Sequence, residues 1–358
     1  MKTKFGLSAI AFNIADFVEQ GIVAERSGFE SVWIPDHFTD LPPSNDKYEP
    51  WTVLATIGAK TQRILLGTLA TDCTRRHPAS VAHVTATLDN LTQGRVILGI
   101  GAGEAMNIKP YGLPWEDPDT RVRRLEESVK IMRLLWKSTQ SAPVNFQGKF
   151  YHLKNARLDL HPFDERNLPV YIAALGSKRS LELTGQIGDG WLPWFNTRKT
   201  FMERSLIIDQ AAERSGRSAD QIDKTAVVYL ALSEDTRKQK QIIESMKAEI
   251  AVLTSPARLA KLGHIMDMKI ASGHSYQRCL ASNEDTEIAY KLGSSLPDSI
   301  SEAFLVRGNA RACITQLEEL LDAGAHHLII RDMLWANRLE DFHTTLNMIG
   351  REIIPALG

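Results

Sequence analysis

Eight short apolar runs recur along the chain, and amphipathic segments separate them. The runs are KFGLSAI (4–10), ESVWI (30–34), RILLGT (63–68), RVILGI (95–100), PVYIAA (169–174), GWLPW (190–194), TAVVYLAL (225–232) and HLIIRDM (327–333). Helical spacing follows them near 15–27, 51–60, 79–91, 120–137, 178–187 and 201–215, with a closing helix after the last run. The runs are apolar almost throughout instead of alternating, as expected of parallel strands covered on both faces. Eight such units in 358 residues predict an α/β fold, a (β/α)8 TIM barrel in preference to an open doubly wound sheet.

Two stretches break the rhythm. Residues 138–168 hold VNFQGKFYHL, which predicts a hairpin around Gly148, and residues 233–305 are charged and rich in helical pattern. Both read as insertions, after the fourth and seventh strands, into one barrel domain spanning 1–358.

Composition narrows the function classes. Lys and Arg total 42 against 43 Asp and Glu, which gives no footprint for nucleic acid or an anionic membrane surface. The N-terminus reads as neither signal peptide nor anchor, and no run approaches the roughly 18 apolar residues of a membrane span. Cys73, Cys279 and Cys313 are too few and too scattered for a disulfide framework, which fits a cytoplasmic chain. No CxxC or HExxH occurs, so no metal site is expected.

In a barrel, chemistry belongs at the carboxyl ends of the strands. Those ends carry PDHFTD (35–40), LATDCTRRHP (69–78), GAGEAMN (101–107), ALGSKRS (174–180) and PWFN (193–196). GIGAGE places three glycines and an acid directly after a buried strand, either as a tight connection or as bare backbone for a ligand to approach. It lacks the spacing of a dinucleotide fingerprint. His37 reads as a loop histidine or as an acid–base group. Arg75, Arg76 and His77 read as a solvated cluster or as an attractor for an anionic tail. Ser177 before a helix reads as an N-cap or as a phosphate site. Trp191 and Trp194 read equally as barrel core or pocket wall, and nothing near Cys73 in sequence would activate a thiol.

Taken together, WIPDHF (33–38), GAGEAMN, PVYIAALG (169–176), GDGW (188–191) and GNARACITQLEELLDAGAHHLII (308–330) resemble the luciferase-like monooxygenase superfamily, in its branch that uses coenzyme F-420 (F420). That branch includes glucose-6-phosphate dehydrogenases, secondary alcohol dehydrogenases and methylenetetrahydromethanopterin reductases. RRHP and YGLPW lean toward the reductases, GEAMN toward the dehydrogenases. The resemblance implies an F420-dependent oxidoreductase acting on a small molecule, and a homodimer. It implies His37 and Glu104 as the catalytic pair. It places Asp36, Thr68, Leu69, Thr71, Ala102, Gly103, Asn107, Leu175, Gly176, Lys178 and Arg179 against the cofactor. It also sets a cis non-proline peptide at Thr68–Leu69, and Trp191 or Trp194 against the substrate. Leu41 stands where the dehydrogenases have Trp, and an acid on the first strand's loop is missing near Ala11 and Phe12. Trp194, Thr197 and roughly Ala303 stand where sugar-phosphate contacts are expected, so the implied substrate is a secondary alcohol or carbonyl and not a sugar phosphate. The readings set beside this one are a methylenetetrahydromethanopterin reductase, an FMN-dependent monooxygenase and a non-catalytic flavin-binding paralogue.

Overall fold

The computed structural model describes residues 2–41, 47–266 and 277–358. Eight parallel positions close into a barrel. Its strands are β1 (Lys4–Ser8), β2 (Ser31–Ile34), β3 (Leu65–Thr68) continued by β4 (Thr71–Asp72), β5 (Val96–Gly101), β8 (Val170–Ala173), β9 (Gly190–Leu192), β10 (Asp223–Leu232) and β12 (His327–Asp332). Each pairs with the next in that order, β9 pairs with β10, and β12 returns to β1, all in parallel. The (β/α)8 barrel expected from the eight apolar runs is the observed fold.

Helices cover the outside, and most start where the sequence supplies a cap. α1 (Ile14–Arg26) begins on Asn13, α3 (Pro78–Leu91) on His77, α4 (Pro118–Leu135) on Asp117, α5 (Lys178–Ile187) on Ser177 and α6 (Arg198–Arg214) on Thr197, each side chain accepting a first-turn N–H. In α2 (Pro50–Lys60), α3 and α4 a proline at the first position adds a preset φ. The strands' outward faces and the helices' inner stripes make one large core, and Trp33, Leu69, Ile97, Tyr171, Leu192 and Ile329 fill the barrel interior.

The first insertion forms the expected antiparallel hairpin, β6 (Val144–Gln147) with β7 (His152–Ala156). The Tyr151 hydroxyl donates to the Cys73 carbonyl at 2.8 Å, so the hairpin braces the loop after β4. The second insertion begins with α7 (Thr236–Leu253) and α8 (Pro256–Lys261) and adds helices Asn283–Ser294 and Asp298–Glu302. Its residues 267–276 lie outside the described ones. It ends in a strand the sequence pattern did not reveal: β11 (Leu305–Gly308) pairs with Tyr229–Leu232, the upper half of the unusually long β10. Apolar side chains of α7, β10 and β11 form a second cluster there, which sets α7 against one side of the barrel mouth. Among the described residues no helix is long and apolar enough to cross a membrane.

Candidate active site

The glycine-rich end of β5 is shaped first by its neighbour. Between the paired positions Gly67–Ile97 and Thr71–Ile100, one edge holds three residues (68–70) and the other only two (98–99). The extra residue bulges the edge, as β-bulges do beside functional sites. A Cβ at Gly99 would sit 1.9 Å from the Thr68 carbonyl oxygen, so only glycine lets the bulge fold onto β5. Gly103 has a different reason, a φ of +84° that turns the chain out of the strand. The cis peptide lies at Leu69–Ala70, one bond beyond the Thr68–Leu69 position expected.

This shift reassigns Thr68. Its side chain is fully buried, donates to the Gly99 carbonyl at 2.7 Å and accepts from the Gly99 N–H at 3.2 Å. It repairs the ladder at the bulge and does not reach the cleft. The cleft is lined instead by Leu69, Ala70, Thr71, Gly101, Ala102, Gly103 and Ala173, a wall almost without side chains. Asp36 and Thr71 stand on it as expected, bound to each other through a 2.6 Å hydrogen bond. The arginines beside them are not a solvated cluster. Arg75 is buried between Asp36 (3.2 Å) and Asp72, Arg76 pairs with Glu49 at 2.8 Å, and His77 caps α3. Burial beside Asp72 pushes the Cys73 thiol up to about 12, which leaves it no nucleophilic role.

His37 and Glu104 come from different strand ends and meet over this wall, with Nε2 3.4 Å from Oε2. The Asp40 carboxylate stands 3.8 Å from His37 Nδ1, too far for a hydrogen bond, and takes Lys47 at 3.1 Å. Burial works against the imidazolium, but Glu104 and then Asp40 outweigh it and hold the His37 pKa above its ordinary value. The Asp40 carboxyl shows the converse: burial raises it, while His37 and Lys47 hold it below the usual carboxylate range. Asn107 fixes the two loops together. Its side-chain oxygen accepts from the Phe38 and Thr39 N–H groups at 2.7 and 3.0 Å, and its nitrogen donates to Glu104 at 3.4 Å. A histidine ringed by carboxylates at a strand end can take and return a proton in a largely enclosed site.

The remaining expected residues separate. Leu175 and Ser177 line the cleft. Lys178 does not: it is exposed, with Glu182 at 3.9 Å. Arg179 is half-buried but also off the cleft, its Nε without a partner. The cation beside this turn is Arg204 of α6, whose guanidinium covers Gly176 so closely that a Cβ there would meet it at 2.4 Å. Burial brings the Arg204 pKa down to about 10. Trp194 lines the cleft, whereas Trp191 is core: it is fully buried, its indole N–H bonds the Ala174 carbonyl at 3.0 Å, and its ring packs on Phe201.

The wall opposite Gly101–Gly103 was largely missed by the sequence reading. It consists of Trp194, Glu249 and Val252 of α7, and Arg331 of β12. The Tyr229 hydroxyl donates to Glu249 at 2.8 Å, and the Trp194 indole N–H reaches the same oxygen at 3.4 Å. Arg331 was detectable in principle as a lone cation in the apolar run HLIIRD. Asp40 had a weaker signal, an acid three residues after His37.

The family model described as luciferase-like monooxygenase matches residues 2–327. The chain is 31% identical to an F420-dependent glucose-6-phosphate dehydrogenase of Amycolatopsis mediterranei over 92% of each chain. It is 28% identical to a 5,10-methylenetetrahydromethanopterin reductase of Archaeoglobus fulgidus, covering 94% of this chain and 93% of that one. Among solved structures it resembles an F420-dependent secondary alcohol dehydrogenase in complex with an F420-acetone adduct, with a TM-score of 0.84 at 23% identity over the full length of both.

Proposed function

Because the chain belongs to the luciferase-like monooxygenase family, we propose that it is an F420-dependent oxidoreductase acting on a secondary alcohol or carbonyl compound. The single observation that carries this reading is the His37–Glu104 contact at 3.4 Å, set directly over the side-chain-poor wall. The residues present fit a flat ring with a phosphorylated tail. Gly101, Ala102, Gly103, Ala70 and Ala173 leave a face that larger side chains would fill. The N-terminus of α5, capped by Ser177 and flanked by Arg204, offers N–H groups and a cation to a phosphate. Bound F420 supplies the deazaflavin carbon that gives or takes hydride.

The protein's own part is positional and acid–base. Asn107 holds the His37 and Glu104 loops at fixed spacing, and the Glu104 and Asp40 carboxylates raise the proton affinity of the imidazole. In alcohol oxidation the pair accepts the hydroxyl proton; in carbonyl reduction it returns one. A sugar phosphate is a poorer fit at this cleft. Trp194 presents an indole where a phosphate contact is expected, and Thr197 is spent on capping α6.

The test is a fluorescence titration with F420 and with FMN, followed by assays of cofactor absorbance. Isopropanol, glucose 6-phosphate and methylene-tetrahydromethanopterin are offered separately. We expect F420 to bind at micromolar level or better and more tightly than FMN, with turnover of the alcohol. Tighter FMN binding removes the cofactor assignment. Efficient turnover of glucose 6-phosphate removes the substrate class, and turnover of the pterin alone makes the chain a reductase of that kind.

A further inference from the structure

Among the described residues, four lysine and arginine side chains line the cleft: Lys47, Arg75, Arg121 and Arg331. Three are committed within the protein. Arg75 lies between Asp36 and Asp72, and Lys47 pairs with Asp40 at 3.1 Å. Arg121 donates to the carbonyls of Glu116, Ala102 and Gly103 and stacks 3.6 Å from the centre of the Trp115 ring.

Arg331 is different. It makes no hydrogen bond or ion pair with any described residue, and its Nε is buried without a partner. Aromatic rings hold its guanidinium in place, with Trp194 at 5.9 Å and Tyr229 at 5.7 Å. The carboxylate of that corner, Glu249, already receives the Tyr229 hydroxyl and the Trp194 indole. Burial works against the charge, but Glu249, Tyr229 and Asp40 hold the Arg331 pKa above the ordinary arginine value. The side chain therefore stays cationic with its buried Nε–H unsatisfied, a cost that an anionic ligand would relieve.

We propose that Arg331 anchors a carboxylate on the substrate, so that the alcohol or carbonyl compound is a hydroxy acid or an oxo acid. One planar guanidinium matches one carboxylate through two parallel hydrogen bonds. A phosphate dianion would call for a second free cation, and the other three lysine and arginine side chains described in this cleft are engaged. Trp194 beside Arg331 offers an apolar face to the carbon chain between the two functional groups. The inference rests on the oxidoreductase reading above. In the oxidative direction the carbinol C–H bond breaks, and its electron pair leaves as hydride to the deazaflavin. The O–H bond breaks, and its proton passes to the His37–Glu104 pair. The C–O bond becomes C=O, substrate and cofactor exchange two electrons, and the carboxylate is unchanged.

The experiment uses the full chain and three secondary alcohols that bear a carboxylate at increasing distance: lactate, 3-hydroxybutanoate and 4-hydroxypentanoate. Each is paired with its methyl ester. One acid is expected to exceed its ester in kcat/KM by about 10²-fold, chiefly through KM. Arg331→Gln is expected to erase that preference, and Arg331→Lys to restore part of it. A melting-temperature shift with each acid alone, without turnover, gives a second readout. Acids and esters handled alike, or no acid binding at all, overturn the proposal. So does Arg331→Gln weakening F420 binding in place of acid binding, because the anion held would then be the cofactor's. Acids that stabilise the wild type but not Arg331→Gln, with no reduction of F420, support the anchor while removing the reaction assigned above.

Discussion

The wall made by β3, β4 and β5 and the wall made by Trp194, α7 and β12 face the same cleft, and they are built from different material. The first is backbone. Its glycines and alanines bring the chain itself to the surface, and its polar side chains, Asp36, Thr71, Arg75 and Asn107, are bound to one another or to the main chain. The second is side chain, an aromatic and charged corner in which Glu249 is satisfied and Arg331 is not. A surface whose polar side chains are engaged with one another recognises shape and tolerates one rigid ligand. A surface with an open donor selects by chemistry, and the part of the reaction that differs between relatives belongs there. The His37–Glu104 pair stands between the two.

Substitutions should therefore fail differently according to the wall they touch. The largest effect is expected at the junction. His37→Ala or Glu104→Gln should lower turnover by about 10² or more while F420 affinity changes little. Full turnover in both variants would remove the pair from the mechanism. Next comes the backbone wall. Gly103→Val forces a branched side chain onto a φ of +84°, with its Cβ 2.3 Å from the Ile108 side chain. It should weaken F420 binding by about 10²-fold, because the turn can no longer present its main chain. A retained dissociation constant would mean that the wall is not the cofactor face. On the opposite wall, Trp194→Ala should raise KM about 10-fold with F420 affinity kept, the loss of one aromatic contact. If it weakened F420 as much as Gly103→Val does, the division into two walls would collapse.

A smaller effect tests how the junction is held. Asn107→Ala leaves the part-buried N–H groups of Phe38 and Thr39 without their acceptor, at about 1 kcal/mol. Urea unfolding should show that loss, and turnover should fall with it, because Glu104 loses its donor as well.

The two walls also differ in how far the sequence disclosed them. The backbone wall is local: bulge, glycines and acid fall within 68–72 and 99–107, so their order in the chain already resembles a known site. Even there the fine geometry was out of reach. Thr68 reads as a ligand contact until its hydroxyl is seen closing the ladder on Gly99, and the cis bond sits one residue further on. Trp191 and Trp194 are three residues apart and equally aromatic, yet one faces α6 and the other the cleft, because the strand ends between them at Leu192. The side-chain wall joins positions 194, 249 and 331, and only the packing of α7 over the upper half of β10 brings them together. No spacing rule links such residues. Arg204 is the same kind of case, a helix residue whose guanidinium covers the Gly176 turn while Lys178 points to solvent.

The last and smallest expected effect concerns pH. The His37 pKa is raised in the folded chain because Glu104 and Asp40 overcome the burial that opposes it. A raised histidine pKa means that the folded state binds the proton more tightly than the unfolded chain, whose value is about 6.5. The stabilisation is therefore complete below that unfolded value and is lost as pH rises through the folded one. Unfolding free energy of the cofactor-free protein should decline across this window, with fewer protons bound by the unfolded state. Glu104→Gln removes the strongest of the raising charges and should flatten the decline, and the His37 ring resonances should titrate at lower pH by NMR. Trp194→Ala, on the far wall and uncharged, should leave both readouts where they were. A slope that ignores Glu104→Gln would place the titrating group elsewhere. A slope that follows Trp194→Ala would mean that the side-chain wall, and not the junction, sets the proton's environment.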